Sequence, residues 1–292
     1  MIGISVRQLE VFVTIAATRS VRAAAERLNV TQPAVSMALA QLERQLGATL
    51  FDRHKGRLQL NARGKELLPG AQEVIERLQE MLDTPDGNGA ALTGELHIGT
   101  SNTVGNYLVG SLLGPFVGHH PDVVLKVNVG NTDAIVSDLL DHRIDIGCVE
   151  GPVHHPQIEV QHWRDDALVV CAAPGHPLTR PPQLDPGHFE GARWILREPG
   201  SATRVMAEQI LSALPPGQIV LELGQVEAIK QAVIAGLGIA CLPAAATTDP
   251  VACGRLAVLD TPFLDLGRRL SLILHKARYR GAIIEAFVAS TR

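Results

Sequence analysis

SVRAAAERLNVTQPAVSMALAQLERQLGATLFDR, residues 20–53, is the stretch from which the fold is read. Before its turn, Val21, Ala24, Ala25 and Leu28 recur at three and four residues, which predicts a short helix with one apolar face. After the turn, Ala34, Val35, Ala38, Leu39, Leu42 and Leu46 continue the pattern for about three turns. Thr31 is a good N-cap, and Pro33 suits a first turn, where a missing N–H costs nothing. Two short helices joined by about three residues, with alanines where they cross, predict a helix-turn-helix. Gln32 and Ser36 then stand at the exposed start of the second helix, where base edges and phosphates are met. Spacing alone also allows an ordinary pair of packed helices with a solvated polar face.

The residues themselves narrow the choice. Ala24-Ala25 to Leu28, Val30-Thr31-Gln32-Pro33-Ala34-Val35-Ser36, Leu39, Leu42-Glu43, Leu46-Gly47 and Leu50-Phe51-Asp52-Arg53 resemble, in order, the N-terminal signature of LysR-type transcriptional regulators. The resemblance implies a winged helix-turn-helix whose recognition helix enters the major groove of double-stranded DNA. It further implies a homodimer or homotetramer on an interrupted inverted repeat, with RNA polymerase as a further partner. Carried over position by position, it implies DNA contacts from Thr31, Gln32, Pro33 and Ser36, and a wing anchored to phosphate by Arg53. Many members carry a basic residue directly after this serine. Here Met37 stands there and Ala40 follows, and neither holds a phosphate. Backbone contact is therefore expected to fall on Arg53, Lys55, Arg57, Arg63 and Lys65.

Charge agrees with DNA binding at one end only. The net charge of the 292 residues is −4, but residues 1–65 hold ten Lys and Arg against four Asp and Glu, a balance of +6. The remainder holds 16 against 26, or −10. With 46% hydrophobic residues the chain can bury substantial cores in two or three domains. Cys148, Cys171, Cys241 and Cys253 have no C-x-x-C spacing and are expected as free buried thiols. Arg7 and Glu10 interrupt any N-terminal apolar run, and Ala232–Ala246, broken by Gly236, Gly238 and Pro243, is too short to span a bilayer. A cytoplasmic protein without a membrane segment is expected.

Going along the chain, Arg7 to Ala17 predicts a first helix, and Leu50 to Leu60, with Arg53-His54-Lys55-Gly56-Arg57 at its tip, predicts a short β wing. Ala62 to Leu82 predicts a long helix bent by Pro69. Its stripe of Leu67, Ala71, Val74, Leu78 and Met81 faces either the chain's own core or a partner helix. The family resemblance implies the latter, a dimerisation linker. Thr84 to Gly89 then forms a hinge. Beyond it, strands alternate with helices, which predicts α/β architecture with largely parallel strands. The strands are expected at Glu95–Thr100, Val123–Val129, Ile144–Val149, Ala167–Ala173, Trp194–Leu196, Ile219–Leu223, Ile239–Leu242 and Leu270–His275. The resemblance arranges them as a two-lobed, periplasmic-binding-protein-like effector domain. The expected division is a winged helix-turn-helix over 1–60, a linker helix and hinge over 61–89, and an effector domain over 90–292. Lobe I of that domain is 90–165 with 268–292, and lobe II is 166–267.

Ligands of open α/β sheets bind beyond the carboxyl ends of strands, where helix N-termini point. This chain puts Thr100, Ser101, Asn102 and Thr103 there, then Asn131-Thr132, Glu150, Ser201, Thr203, Arg204 and Gln225. Ser, Thr and Asn also cap helices everywhere, so for Thr132 and Gln225 that reading stays open. Arg204 is the more pointed residue. A cation in a first helical turn opposes the dipole, and it needs either an acid such as Glu198 or a bound anion. Trp194 to Arg204, Gly99 to Leu108 and Ile146 to Pro152 are similar to a LysR branch linked to sulfur assimilation and to sensing of inorganic anions such as sulfite. That similarity implies a small anionic effector between the lobes. A carboxylate at Glu150 would repel it unless paired or protonated, and otherwise favours an effector bearing an amine as well as a carboxylate. No cofactor, metal or catalytic motif stands out. His119-His120 and His154-His155 are adjacent pairs whose rings diverge on extended chain. The rivals are a ligand-binding or transport receptor, which would not need residues 1–83, and an enzyme with an appended DNA-binding domain, for which catalytic groups are lacking.

Overall fold

The computed structural model describes residues 3–54, 57–82 and 91–292, without the side chains of residues 53, 54, 57, 80 and 82. Lys55 and the expected hinge Thr84 to Gly89 therefore lie outside the described residues, as do the side chains of Arg53 and Arg57.

The head is built from short helices with well-made ends. Helix α1 (Val6–Thr18) starts at a capping box between Ser5 and Gln8 and stops at Arg19, whose φ of 56° breaks the helix. Ser20 caps α2 (Val21–Arg27), and Thr31 caps α3 (Gln32–Leu46) by accepting from Ala34 N–H; Gly47 in the left-handed region ends α3. Phe12, Leu42 and Leu50 are fully buried between these helices, with Val11, Ile15, Ala24 and Val35 behind the turn. Strands β1 (Phe51–His54) and β2 (Arg57–Leu60) pair antiparallel as the wing, which Leu58 N–H ties to the Arg19 carbonyl.

Helix α4 (Ala62–Leu82) has the expected bounds and carries Pro69 inside it. Its first half belongs to the head, where Leu68 and Ala71 are buried. Gly64 presses so closely on the wing that a Cβ there would lie 2.3 Å from the Leu50 carbonyl oxygen. Farther along, Val74 is exposed. Lys65 and Arg19 both bond Asp141 of the body (3.1 and 3.3 Å), Arg27 pairs with Glu95, and Arg278 pairs with Glu76. Lys65 thus reaches the body, and Arg63 pairs with Glu66 on its own helix, both in exposed ion pairs.

The body is mixed rather than largely parallel. Strands β3 (Gly94–Ser101), β4 (Val123–Gly130) and β5 (Ile146–Glu150) run parallel, with β3 central. Next to β5, β11 (Gly267–His275) is antiparallel, and β6 (Ile158–Ala172) pairs antiparallel with β11. Beyond Ala167, β6 changes partners to β9 (Ala240–Pro243) and β10 (Ala257–Leu259), so one 15-residue strand serves both lobes. The expectation began this strand at Ala167, nine residues late. Strands β7 (Arg193–Arg197) and β8 (Gln218–Leu223) are parallel, and Trp194 bridges to Ile239.

Helices α5 (Val109–His119), α6 (Thr132–Leu140) and α10 (Ala282–Ser290) cover the first lobe, and α7 (Ala202–Ser212), α8 (Val226–Ile234) and α9 (Ala244–Ala252) the second. Cys148, Cys171 and Cys241 are buried, whereas Cys253 is exposed. Burial pushes the Cys171 and Cys241 thiols up to about 12, which leaves them unreactive. Among the described residues, no helix is long and apolar enough to cross a membrane.

Candidate functional site

Two surfaces follow from this architecture. On the head, Thr31, Gln32, Pro33 and Ser36 are exposed along the N-terminal turn of α3, and Met37 is 72% exposed beside them. The turn before them is held open by Asn29 in the left-handed region. An exposed, capped helix start beside a hairpin has the shape that enters a major groove.

The second surface is internal, where the lobes meet. Thr100, Ser101, Asn102 and Thr103 lie at and beyond the end of β3, and all four are buried. Ser101 turns inward to accept from Val104 N–H, and Asn102 donates to the Gly130 carbonyl. The chain then makes a π turn, Val104–Leu108, before α5. Gly105 is required in it, because a Cβ would lie 2.6 Å from Thr100 Oγ1. Asn131 does two things. Its Oδ1 caps α6 through Ala134 N–H, and its Nδ2 donates to Glu198 of the other lobe at 3.1 Å. Asp133 N–H donates to the Gly200 carbonyl, so backbone also joins the lobes.

Arg268, on β11, is the other crossing point. Its guanidinium bonds Asp166 (2.6 Å), Thr203 (3.0 Å) and Thr103 (3.2 Å), and Thr103 in turn donates to Glu150 at 3.2 Å. Glu150 and Arg268 are buried almost completely. Tyr107 of the π turn reaches Glu227 on α8, and burial followed by that carboxylate's charge pushes its hydroxyl up to about 12.

Several buried polar atoms in this junction lack any partner: Thr100 Oγ1, Thr132 Oγ1, Ser201 Oγ, Arg197 Nη1 and Glu150 Oε2. Each such atom costs about 1–3 kcal/mol unless something bonds it.

Arg204 does not belong to this group. Its guanidinium is held by Glu208 (2.6 Å), Glu222 (2.8 Å) and the Arg197 carbonyl. These acids, rather than Glu198, pair with the cation at the helix start. Glu198 is taken by Arg197 at 2.7 Å. Burial pushes the Glu198 carboxyl up, but the Arg197 guanidinium outweighs it and holds the group below the usual range. Gln225 is exposed and makes no capping bond.

Arg197 and Arg268 were missed as site residues. Each sits at one end of an apolar strand, Arg197 closing WILR and Arg268 opening RRLSLIL, and a buried cation there needs an acid or a ligand. Among the described residues, no cluster of three or more His, Cys, Asp or Glu could hold a metal ion.

Residues 6–65 match the model of the bacterial regulatory helix-turn-helix protein, lysR family, and residues 89–292 match that of the LysR substrate binding domain. The chain belongs to the LysR family of transcriptional regulators. It is 38% identical to the uncharacterized HTH-type transcriptional regulator YeiE of Escherichia coli, over 98% of this chain and 96% of that protein. It is 32% identical to the RuBisCO operon transcriptional regulator of Acidithiobacillus ferrooxidans, over 91% and 86%.

Among solved structures, a full-length OxyR variant from Pseudomonas aeruginosa matches with a TM-score of 0.80 at 25% identity, over 99% of this chain and 94% of that one. The regulatory domain of CcmR from Synechocystis, solved in complex with 2-PG, matches with a TM-score of 0.63 at 26% identity, over 68% and 96%. As a LysR-type protein, the chain is a DNA-binding regulator of transcription with an effector domain, and not an enzyme.

Proposed function

We propose that this LysR-type regulator responds to a small oxyanion of sulfite type, as in sulfur assimilation, held where the two lobes meet. The observation that carries the reading is the set of buried donors left without partners: the hydroxyls of Thr100, Thr132 and Ser201 and Nη1 of Arg197. They sit at strand ends and helix starts, where backbone N–H groups also favour negative charge. An acceptor-rich ligand would satisfy several of them at once. The charged groups nearly compensate one another, with Arg197 and Arg268 set against Glu150, Glu198 and Asp166. The anion is therefore small, and it is held by hydroxyls and dipoles more than by a free cation.

Calorimetry with sulfite, sulfate, phosphate and amino acids tests this. Arg197→Met should weaken oxyanion binding by roughly 30-fold or more, since it removes a charge-assisted bond in a buried setting. Undiminished binding in that variant refutes the reading. A second reading, an amino-acid-like effector, has one specific support, the unpartnered Glu150 Oε2, which suits an effector bearing an amine as well as a carboxylate; an organic-acid effector is the remaining alternative, and the CcmR domain is solved in complex with 2-PG.

For DNA, the reading assigns base contact to Gln32 and Ser36, with Thr31 and Pro33 setting the helix start. Phosphate contact falls to Arg53, Lys55 and Arg57 of the wing. The protein acts in the cytoplasm, on an interrupted inverted repeat, and passes its signal to RNA polymerase. Dimers form along α4, whose Val74 is exposed beyond the head. Tetramers form through the effector domains, where the β4 edge exposes Val124, Val127 and Val129. Leu78→Asp should give weaker assemblies by sedimentation.

A further inference from the structure

Resting on the oxyanion reading, we propose that Glu150 selects the effector by its proton: the site takes an anion that still carries an O–H or N–H, and rejects a fully deprotonated dianion. Glu150 ends β5 and is 2% exposed in its side chain. Gly151 follows with φ of +78°, and a Cβ there would lie 2.8 Å from Ala202 Cβ, so the chain directly after Glu150 abuts the start of α7, whose N-cap Ser201 has an unpartnered hydroxyl.

One carboxylate oxygen is committed. Thr103 Oγ1 accepts from Arg268 Nη2, so its own proton is free to go to Glu150 Oε1, at 3.2 Å. The relay runs in one direction only. The other oxygen, Oε2, is buried without a partner.

Nor is the charge of Glu150 fully answered. Arg268 Nη1 stands 3.9 Å from Oε1, beyond hydrogen-bond reach, while Nε and Nη2 of the same guanidinium close on Asp166 at 2.7 and 2.6 Å. Cys148 on the same strand adds no charge, because burial and then Glu150 itself hold its thiol well above the usual range. An ionised carboxylate accepts and cannot donate. A ligand reaching Oε2 must therefore bring a proton to share. An unprotonated oxygen would leave Oε2 unsatisfied and add repulsion between like charges in a medium of low dielectric. Hydrogensulfite and hydrogenphosphate meet the condition. Sulfate does not.

The experiment is calorimetric titration of the full chain with sulfite, hydrogenphosphate and sulfate across the neutral pH range. Sulfite affinity should fall about tenfold per pH unit once the anion gives up its proton. Sulfate should bind roughly 100-fold more weakly than sulfite at the acid end, as happens when a buried polar group is left unpaired. Glu150→Gln presents an NH2 donor in the same shape, so it should flatten the sulfite profile and raise sulfate affinity by about the same roughly 100-fold. Sulfate bound by the unaltered chain as tightly as sulfite would overturn the proposal. An unchanged preference in Glu150→Gln would do the same.

Glycine and acetate separate the two layers of the argument. If no oxyanion binds but glycine does and acetate does not, the oxyanion reading fails while the demand for a donor stands. If none of the five binds, both fall.

Discussion

On the head, Gln32 and Ser36 stand in solvent above a closed core of Phe12, Leu42 and Leu50; between the lobes, Thr100, Thr132, Ser201, Arg197 and Glu150 are buried with atoms unbonded. Water satisfies the first set until DNA displaces it, so the head loses little by waiting. The second set carries about 1–3 kcal/mol of unmet bonding for each atom, which makes the body the part that is tuned to be completed. One surface selects by what reaches out from it, the other by what fits among groups already fixed. The comparison also separates two kinds of arginine. Arg204 is paired at the surface of its helix, whereas Arg197 has one nitrogen without a partner inside.

The strongest way to break this contrast is to remove the head and ask whether the body notices. Gly64→Val puts atoms against the Leu50 carbonyl, where even a Cβ would stand at 2.3 Å, and should destabilise the head by about 3 kcal/mol or more. DNA affinity should vanish in gel-shift titrations while effector calorimetry stays within twofold. Loss of both would mean that the two regions are one unit.

The next effect tests how closely head and body are joined. His142 faces a cavity of about 1040 Å3 between them, with Val13 and Gln72 on one side and Arg278 on the other. Burial, then the neighbouring His275 and Arg278, push its imidazole down to about 4 from an ordinary 6.5. The folded state therefore binds fewer protons than the unfolded one. The stability is fully present above pH 6.5 and is lost as pH falls toward about 4, by up to roughly 3 kcal/mol. Urea midpoints measured across that window should flatten in His142→Asn, a residue that tolerates the φ of 53° at this position. An unchanged slope would place the acid sensitivity elsewhere.

A smaller effect sharpens the account of the head. Gln32→Ala should relax base preference by about 1–3 kcal/mol in competition binding while leaving the salt dependence alone. A uniform loss on all sequences would instead make Gln32 a phosphate contact. Least of all, Arg204→Ala should cost under about 1 kcal/mol of stability, since its acid partners are largely exposed, and should leave oxyanion affinity unaltered.

Legibility in the sequence followed the range of the contacts. The head was readable because its caps, apolar spacing and turn all lie within a few residues of one another, and α4 has the bounds its stripe implied. Strands of the body were visible as apolar runs, but their directions depend on pairing between distant segments. The first half of β6 was hidden because Gln161 to Asp166 is too polar to be noticed, and its outward face, Val160 and His162, is exposed. For Arg204, the dipole argument identified a cation in need of a partner; Glu208 at i+4 was available as the answer, while Glu222 arrives only through the fold of β8 onto α7. Asn131 was found as a cap and turned out to bridge as well, which no local pattern announces.

The long strand β6 has a last consequence, for the way the body comes apart. Its residues up to Ala167 hydrogen-bond to β11 and those beyond to β9 and β10. Frayed from its start it strips β11 of one lobe, frayed from its end it strips β9 and β10 of the other, and the strand between is common to both. The two lobes should therefore melt as one cooperative unit, and the amides along β6 should exchange with solvent only through that global opening. Any rotation of one lobe on the other is then twisting of a continuous ribbon, with its register kept, rather than swinging on a slack tether.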